Sequence, residues 1–117
     1  GRKIVVPQAA AGVARFDFAD LCVQPLGAAD YLAIVARYRT LVIEHIPVLT
    51  PEKRNETKRF INLVDTLYDH HVRLVASAAA MPEDLLPVRK GTEGFEFDRT
   101  VSRLFEMRSV DYVAKCQ

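Results

Sequence analysis

The sequence lacks the glycine-rich loop with which many ATP-hydrolysing enzymes hold phosphate groups. Its five glycines never take the spacing G-x-x-x-x-G-K-[ST] that such a loop requires. No apolar run approaches the ~20 residues of a membrane-spanning helix, and no charged start followed by an apolar stretch marks a secretory signal. We therefore expect neither nucleotide binding by this chain alone nor direct membrane insertion.

An excess of charge of one sign is also missing. The chain has 16 basic and 15 acidic residues, a formal net charge of +1, which argues against binding to nucleic acid. Cys22 and Cys116 lie far apart without the paired spacing of a metal site, which favours reduced thiols and a cytoplasmic location. Half of the residues are hydrophobic, so we expect a single domain, residues 1–117, with a true core.

Apolar patterns predict an α/β fold. Lys3–Pro7 and Val13–Phe18 form an N-terminal β-hairpin in this interpretation, with residues 8–12 as its loop. Thr40–Ile46 and Val72–Ala76 are almost continuously apolar, which predicts parallel strands that are covered on both faces.

The remaining segments alternate between helices and loops. We predict helices over Ala28–Tyr38, Pro51–His70, Met81–Leu86 and Asp98–Arg108, a polar loop over Val88–Gly94 and a short extended piece over Phe95–Phe97. Phe60 is placed in the core. The order strand, helix, strand, helix indicates a mainly parallel sheet with flanking helices.

Functional sites of such folds lie beyond the carboxyl ends of the strands, where Glu44, His45 and Ser77 fall. An ATPase needs a carboxylate there to hold hydrated Mg²⁺, but that role requires a phosphate cradle as well. A small enzyme using Glu44 and His45 is therefore a minor hypothesis. His70 and His71 are adjacent and point about 100° apart on a helix, so we predict no metal site.

Two arginines stand out on the last predicted helix. Arg99 and Arg103 are four residues apart, so their guanidinium groups share one face. That face is expected to lie opposite a buried stripe of Val101, Leu104 and Phe105. It is either a solvated surface with an Arg103–Glu106 pair or a site for an anion or an acidic partner.

Five segments carry a resemblance to a known family, in this order: ARFDFADLC, LGAADYLAI, IPVLTPEKRNETKRFINLVDTLYD, VRLVASA and FEFDRTVSRLFEMRSVDY. The chain resembles the C-terminal part of the ZapE-like ATPases, also called the ATPase-family-gene-one family. The resemblance implies a P-loop ATPase related to the AAA+ class. Bacterial members are associated with cell division, and mitochondrial relatives with inner-membrane protein quality control.

The family's phosphate loop and Mg²⁺-binding strand lie upstream of the matched region, and this chain begins at Gly1. The resemblance therefore implies a C-terminal, non-catalytic domain with a degenerate P-loop-NTPase-like fold. ATP and Mg²⁺ are implied for the full-length protein, and no cofactor for this chain.

The leading hypothesis is a domain that packs on the upstream ATPase domain of the same protein and mediates contacts between subunits or with protein partners. Arg99 and Arg103, and after them Arg54 and Arg59, are the candidates for contact with a nucleotide or a partner. Self-association and a cell-division or membrane-protein client are further candidate contacts. The alternative hypothesis is an independent protein-binding module without a nucleotide role. In a structural alternative, Arg99 or Arg103 ties its helix to the domain through a buried carboxylate such as Glu44 or Asp30.

Overall fold

The computed structural model describes residues 5–116. Its centre is a four-stranded sheet of β1 (Gln8–Ala10), β2 (Val13–Asp17), β3 (Thr40–Ile46) and β4 (Arg73–Ala78), in that spatial order. β1 is antiparallel to β2, whereas β2, β3 and β4 run parallel. The predicted N-terminal hairpin and mainly parallel sheet are thus confirmed, and β3 and β4 are parallel neighbours.

The hairpin lies further along the chain than predicted. Ala11 and Gly12 both have positive φ angles, 53° and 78°, which is the backbone of a tight two-residue type I′ turn. Such a turn places the first strand directly before Ala11, so residues 8–10 form a strand where a loop was expected. Val5–Pro7 precede that strand, and Lys3 and Ile4 lie outside the described residues.

Four α-helices pack on one face of the sheet: α1 (Ala28–Arg37), α2 (Arg54–Asp69), α3 (Gly91–Glu106) and α4 (Val110–Lys115). A π-helical turn over Ala19–Val23 and 3₁₀ turns over Pro51–Lys53 and Pro82–Asp84 complete the described helical segments. The predictions for α1, α2 and the short helix near Pro82 are confirmed. Of these helices, none is long and apolar enough to cross a membrane, as far as residues 5–116 show.

Helix α3 begins seven residues earlier than predicted. Residues 91–97 were expected as a loop and an extended piece, but all of them are helical. Two glycines suggested a loop because glycine disfavours helix interiors. Gly94 instead serves packing: a Cβ atom at this position would lie only 2.6 Å from the backbone carbonyl carbon of Arg89. The close approach of the backbone of Arg89, five residues earlier, therefore outweighs the low helix propensity of glycine.

The core lies on one face of the sheet. Ala14 and Phe16 of β2 are buried there beside Leu41 and Ile43 of β3. Phe60, at 1% exposure, packs against them from α2 as predicted.

The other sheet face is open within the described part of the chain. Its apolar residues include Val13 and the half-buried Val42, and Val75 is 52% exposed. The prediction that β3 and β4 are covered on both faces is therefore wrong for this chain. The sequence does not distinguish an open face from a covered one here, because valines occupy the open face and hydrophobicity does not alternate along the strands.

The carboxyl end of β3 carries a bulge. The register between β3 and β4 shifts between Ile43 and Ile46, and His45 has a φ angle of 61°. A bulge turns side chains away from the regular alternation. It places Glu44 and His45 at the edge where the sequence predicted functional groups.

Candidate functional site

Asp65 on α2 joins the two predicted arginines of α3. Its Oδ1 accepts a hydrogen bond from Nη1 of Arg103, and its Oδ2 accepts one from Nη2 of Arg99 at 3.2 Å. Arg103 is the better enclosed of the two, with 23% of its side chain exposed against 54% for Arg99. One carboxylate therefore holds α3 onto α2 through two guanidinium groups.

The environment of Arg103 corrects the predicted solvated face. Its guanidinium lies 4.9 Å from the ring centroid of Tyr68, a cation–π contact. The predicted Arg103–Glu106 pair is absent from the ion pairs of residues 5–116, since Arg103 pairs with Asp65; Glu106 accepts a hydrogen bond from the Tyr68 hydroxyl at 2.6 Å. That bond raises the pKa of Tyr68. Arg103 therefore holds α3 onto α2, and its carboxylate partner is Asp65 rather than the suggested Glu44 or Asp30.

The buried face of α3 is also rotated from the predicted one. Its buried residues include Gly94, Phe97 and Thr100, while Val101 and Leu104 are only partly buried. The first turns of α3, which were expected as a loop, pack against α2. The buried residues therefore lie on a different side of the helix from the predicted stripe. This rotation brings Arg103 toward α2.

Arg54 and Lys58 share a second carboxylate across the same helix pair. Nε of Arg54 donates to Oε1 of Glu93 at 2.8 Å, and Nζ of Lys58 lies 3.3 Å from that oxygen. Glu93 itself is 7% exposed. The hydrogen bond from Arg54 is the main cause that lowers the pKa of Glu93 to about 2. Glu93 therefore stays ionised at neutral pH.

Arg59 is engaged in a different place. Its Nη1 donates to the backbone carbonyl of Cys22 at 3.0 Å and ties α2 to the π-helical turn. Of the four predicted arginines, Arg59 and Arg103 are thus held within the domain. Arg54 and Arg99 each keep more than half of their side chain exposed. These two can make further contacts with an anion or a carboxylate.

Sequence reasoning missed Asp65 and Glu93 as the acceptors of these arginines. Glu93 was expected in the loop Val88–Gly94, and Asp65 was not singled out. A single sequence contains no signal that pairs residues so far apart. The spacing of Arg54 and Lys58, four apart on one helix face, was the available hint that a carboxylate lies opposite.

The carboxyl edge of the sheet forms a separate charged cluster. Arg15 donates through Nε to Glu44, and Nδ1 of His45 lies 2.5 Å from Oδ1 of Asp17. The hydrogen bond with Asp17 raises the pKa of His45, and the same bond lowers the pKa of Asp17. The backbone N–H of His45 donates to Oγ of Ser77 at 3.0 Å. The structure thus brings Glu44, His45 and Ser77 together, as predicted.

This edge does not fit MgATP. Glu44 is occupied by Arg15, and no group of three metal-ligating side chains exists within residues 5–116. The strand-to-helix loop after β3 contains Pro47 and Pro51 and no glycine, so it offers no cradle of backbone N–H groups for phosphates.

Within residues 5–116, fold and site define a small α/β domain with an open sheet face and no nucleotide cradle. A family model described as AFG1-like ATPase matches residues 1–116. The chain belongs to the AFG1-like ATPase family.

Three curated relatives illustrate the similarity. An uncharacterized protein of Schizosaccharomyces pombe is 35% identical over 97% of this chain and 31% of its own length. Lactation elevated protein 1 homolog B of Danio rerio is 32% identical over 96% of this chain and 28% of its length. Cell division protein ZapE of Escherichia coli is 38% identical over 84% of this chain and 26% of its length. The chain thus spans less than a third of these relatives.

No solved structure matches the chain. Its P-loop-NTPase-like character therefore remains a prediction from the sequence.

Proposed function

We propose that this chain is the C-terminal, non-catalytic domain of an AFG1-like ATPase, and that it packs on the ATPase part of the same protein. The observation that supports this proposal is the open sheet face with Val13, Val42 and the half-exposed Val75. Parallel sheets are found almost only with both faces covered. The relatives are more than three times as long as the matched region, so their additional residues can form a layer that covers the open face.

In this proposal the charged groups between α2 and α3 divide their tasks. Arg103 and Arg59 stabilise the domain, while the exposed Arg54 and Arg99 contact a neighbouring subunit, its nucleotide or a protein partner. ATP and Mg²⁺ bind in the ATPase part and not in this chain. A cytoplasmic location and a role in cell division, by similarity to ZapE, complete the proposal.

Cysteine labelling tests whether the open face is covered. Val13→Cys and Val75→Cys would each be made in this chain and in the full-length polypeptide, and their rates of reaction with a maleimide compared. The native Cys22 and Cys116 are buried and contribute little background. We expect labelling of both positions to slow by about tenfold or more in the full-length protein, because packing excludes the reagent.

Val110→Cys on α4 is the matched control, since Val110 is highly exposed and lies off the sheet. Its labelling should be similar in both proteins. Equal rates for Val75→Cys in the two proteins would contradict the proposed packing. They would favour the second candidate function, an independent protein-binding module. The outer edge of β4 supports that function, because no strand within residues 5–116 pairs with it.

A further inference from the structure

The outer edge of β4 lies beside an apolar groove. β4 is the last strand of the sheet, and no strand within residues 5–116 pairs with its other side. All of its residues except Leu74 are exposed. Between this strand and the end of α3 runs a groove of about 340 Å³.

The backbone of β4 offers free hydrogen-bonding groups at this edge. The N–H of Arg73 donates to Arg39 at 2.9 Å, and that of Ala79 donates to Ile46 at 2.8 Å, both toward β3. Backbone groups alternate in direction along a strand that pairs on one side. The N–H and C=O groups of the intervening even-numbered residues, 74, 76 and 78, therefore point to the open edge, where a further strand would bond.

The groove itself is apolar. The segment 80–85 closes one side of it. Other side chains that line it come from β4, α2, α3 and the residue after α3: Leu74, Ala76, Ala78, Phe60, Leu104 and Met107. The alanines on the strand side leave room for side chains of an added strand. A strand edge beside a helix is the geometry in which domains bind extended peptides, with main-chain bonds giving affinity and the groove giving specificity.

Arg108 is the charged side chain among the described residues that line the groove. Its guanidinium lies 4.7 Å from the ring centroid of Phe105, and it forms no ion pair with a carboxylate of residues 5–116. An unpaired guanidinium at the rim of an apolar groove suits a carboxylate of an incoming chain.

We propose that the groove between β4 and α3 binds an extended segment of a separate protein. That segment adds to β4 as a strand, places small apolar side chains at alternate positions in the groove and sets an acidic group on Arg108. The inference rests on the proposed role of this domain in partner contacts and assigns those contacts to a surface.

Charge complementarity favours a separate protein over a second copy of this chain. The two strands with open edges, β4 and β1, have the sequences RLVASA and QAA and carry no acidic residue. A second copy that paired through either strand would bring no carboxylate to Arg108. Pairing of two β4 strands would also add the cationic Arg73 of each copy.

Selection from a phage-displayed library of random peptides about twelve residues long, a length that exceeds an ordinary strand, tests the proposal with the 117-residue chain. We expect enriched peptides with alternating apolar residues and an acidic residue. Ala78→Arg fills the groove and should weaken binding of the enriched peptide by about tenfold or more. Val75→Arg lies on the same strand but on the opposite sheet face, and should change binding by less than about twofold.

Two further variants separate the main-chain and the charge contributions. Ala76→Pro removes an outward N–H without touching the ladder to β3 and should weaken binding as Ala78→Arg does. Arg108→Glu should disfavour the acidic peptide and be rescued when that acid is replaced by lysine. Far-ultraviolet circular dichroism and thermal melts check that each variant is folded.

Absence of any enriched peptide would overturn the proposal, as would peptides whose binding is insensitive to Ala78→Arg. Light scattering adds a further outcome: a dimer that Ala76→Pro converts to a monomer would assign the edge to a second copy instead. Failure of these experiments differs from failure of the proposed packing, which concerns the opposite sheet face and is measured by cysteine labelling.

Discussion

Arg99 and Arg103 show how two identical side chains on one helix acquire different roles. Both reach Asp65, yet Arg103 is largely enclosed and stacks on Tyr68, while Arg99 is half exposed. A charged hydrogen bond that is shielded from water contributes more than an exposed ion pair, which solvent and salt screen. The helix spacing predicted their shared face correctly, but their burial depends on where α2 lies.

Replacing Arg103 by alanine should destabilise the domain by about 1–2 kcal/mol, because a shielded charged hydrogen bond and a cation–π contact are lost. Arg99→Ala should change the free energy of unfolding by less than about 0.5 kcal/mol, as for an exposed ion pair. Urea denaturation of this chain measures both. Equal effects of the two substitutions would refute the larger role of Arg103 in holding α3 onto α2.

Glu93 provides a prediction for pH. Its pKa of about 2 in the folded chain lies below the ordinary value of 4.5. A lowered folded-state pKa means that the unfolded chain takes up the proton first, so Glu93 stabilises the fold above pH 4.5 and loses this effect as the pH falls toward 2. Glu93→Gln should therefore lower the urea midpoint at pH 7, and the difference from the parent should shrink at pH 3.

Glu96→Gln, on the same helix, is the control for removing a carboxylate of α3. It should leave the urea midpoint at pH 7 nearly unchanged. A deficit of Glu93→Gln that is the same at pH 7 and pH 3 would mean that the lost effect is not the charge contact with Arg54 and Lys58.

At the scale of an element, α3 depends on a glycine that sequence rules assign to a loop. Gly→Ala in a helix interior ordinarily stabilises by up to about 1 kcal/mol. Gly94→Ala should instead destabilise by about 1–2 kcal/mol, because the new Cβ would lie 2.6 Å from backbone atoms of Arg89 and the helix must shift. Thermal denaturation monitored by circular dichroism decides between the two signs.

Thr92→Ala serves as the matched substitution, since Thr92 is exposed in the same helical turn. It should be neutral or slightly stabilising through helix propensity. Stabilisation by Gly94→Ala of the same size would show that α3 and the segment before it are not in close contact.

At the scale of the whole molecule, the part of the chain that the structure describes is a layer of helices on one face of a sheet, without a phosphate cradle. We therefore expect titration calorimetry of this chain with MgATP to give no heat of binding. A dissociation constant in the micromolar range, about −8 kcal/mol of binding free energy, would contradict that expectation. The full-length polypeptide is the positive control, and binding there but not here would place the nucleotide outside this domain.

The sequence by itself determined the elements whose signals are local. Thr40–Ile46, α1 and α2 follow from continuous apolar runs and helix periodicity. The family resemblance came from ordered segments and is confirmed by the family model.

Only the tertiary structure decided the start of α3, the carboxylate partners of the arginines and the open face of the sheet. The arginine contacts and the open face depend on residues far apart in the chain, Arg103 on Asp65 and the valines of three strands on what covers them. The start of α3 depends on the close packing of Gly94 against the backbone of Arg89, five residues earlier. Local propensity cannot encode such contacts, because they form only when helices and strands have taken their places and the contact free energy exceeds the local preference.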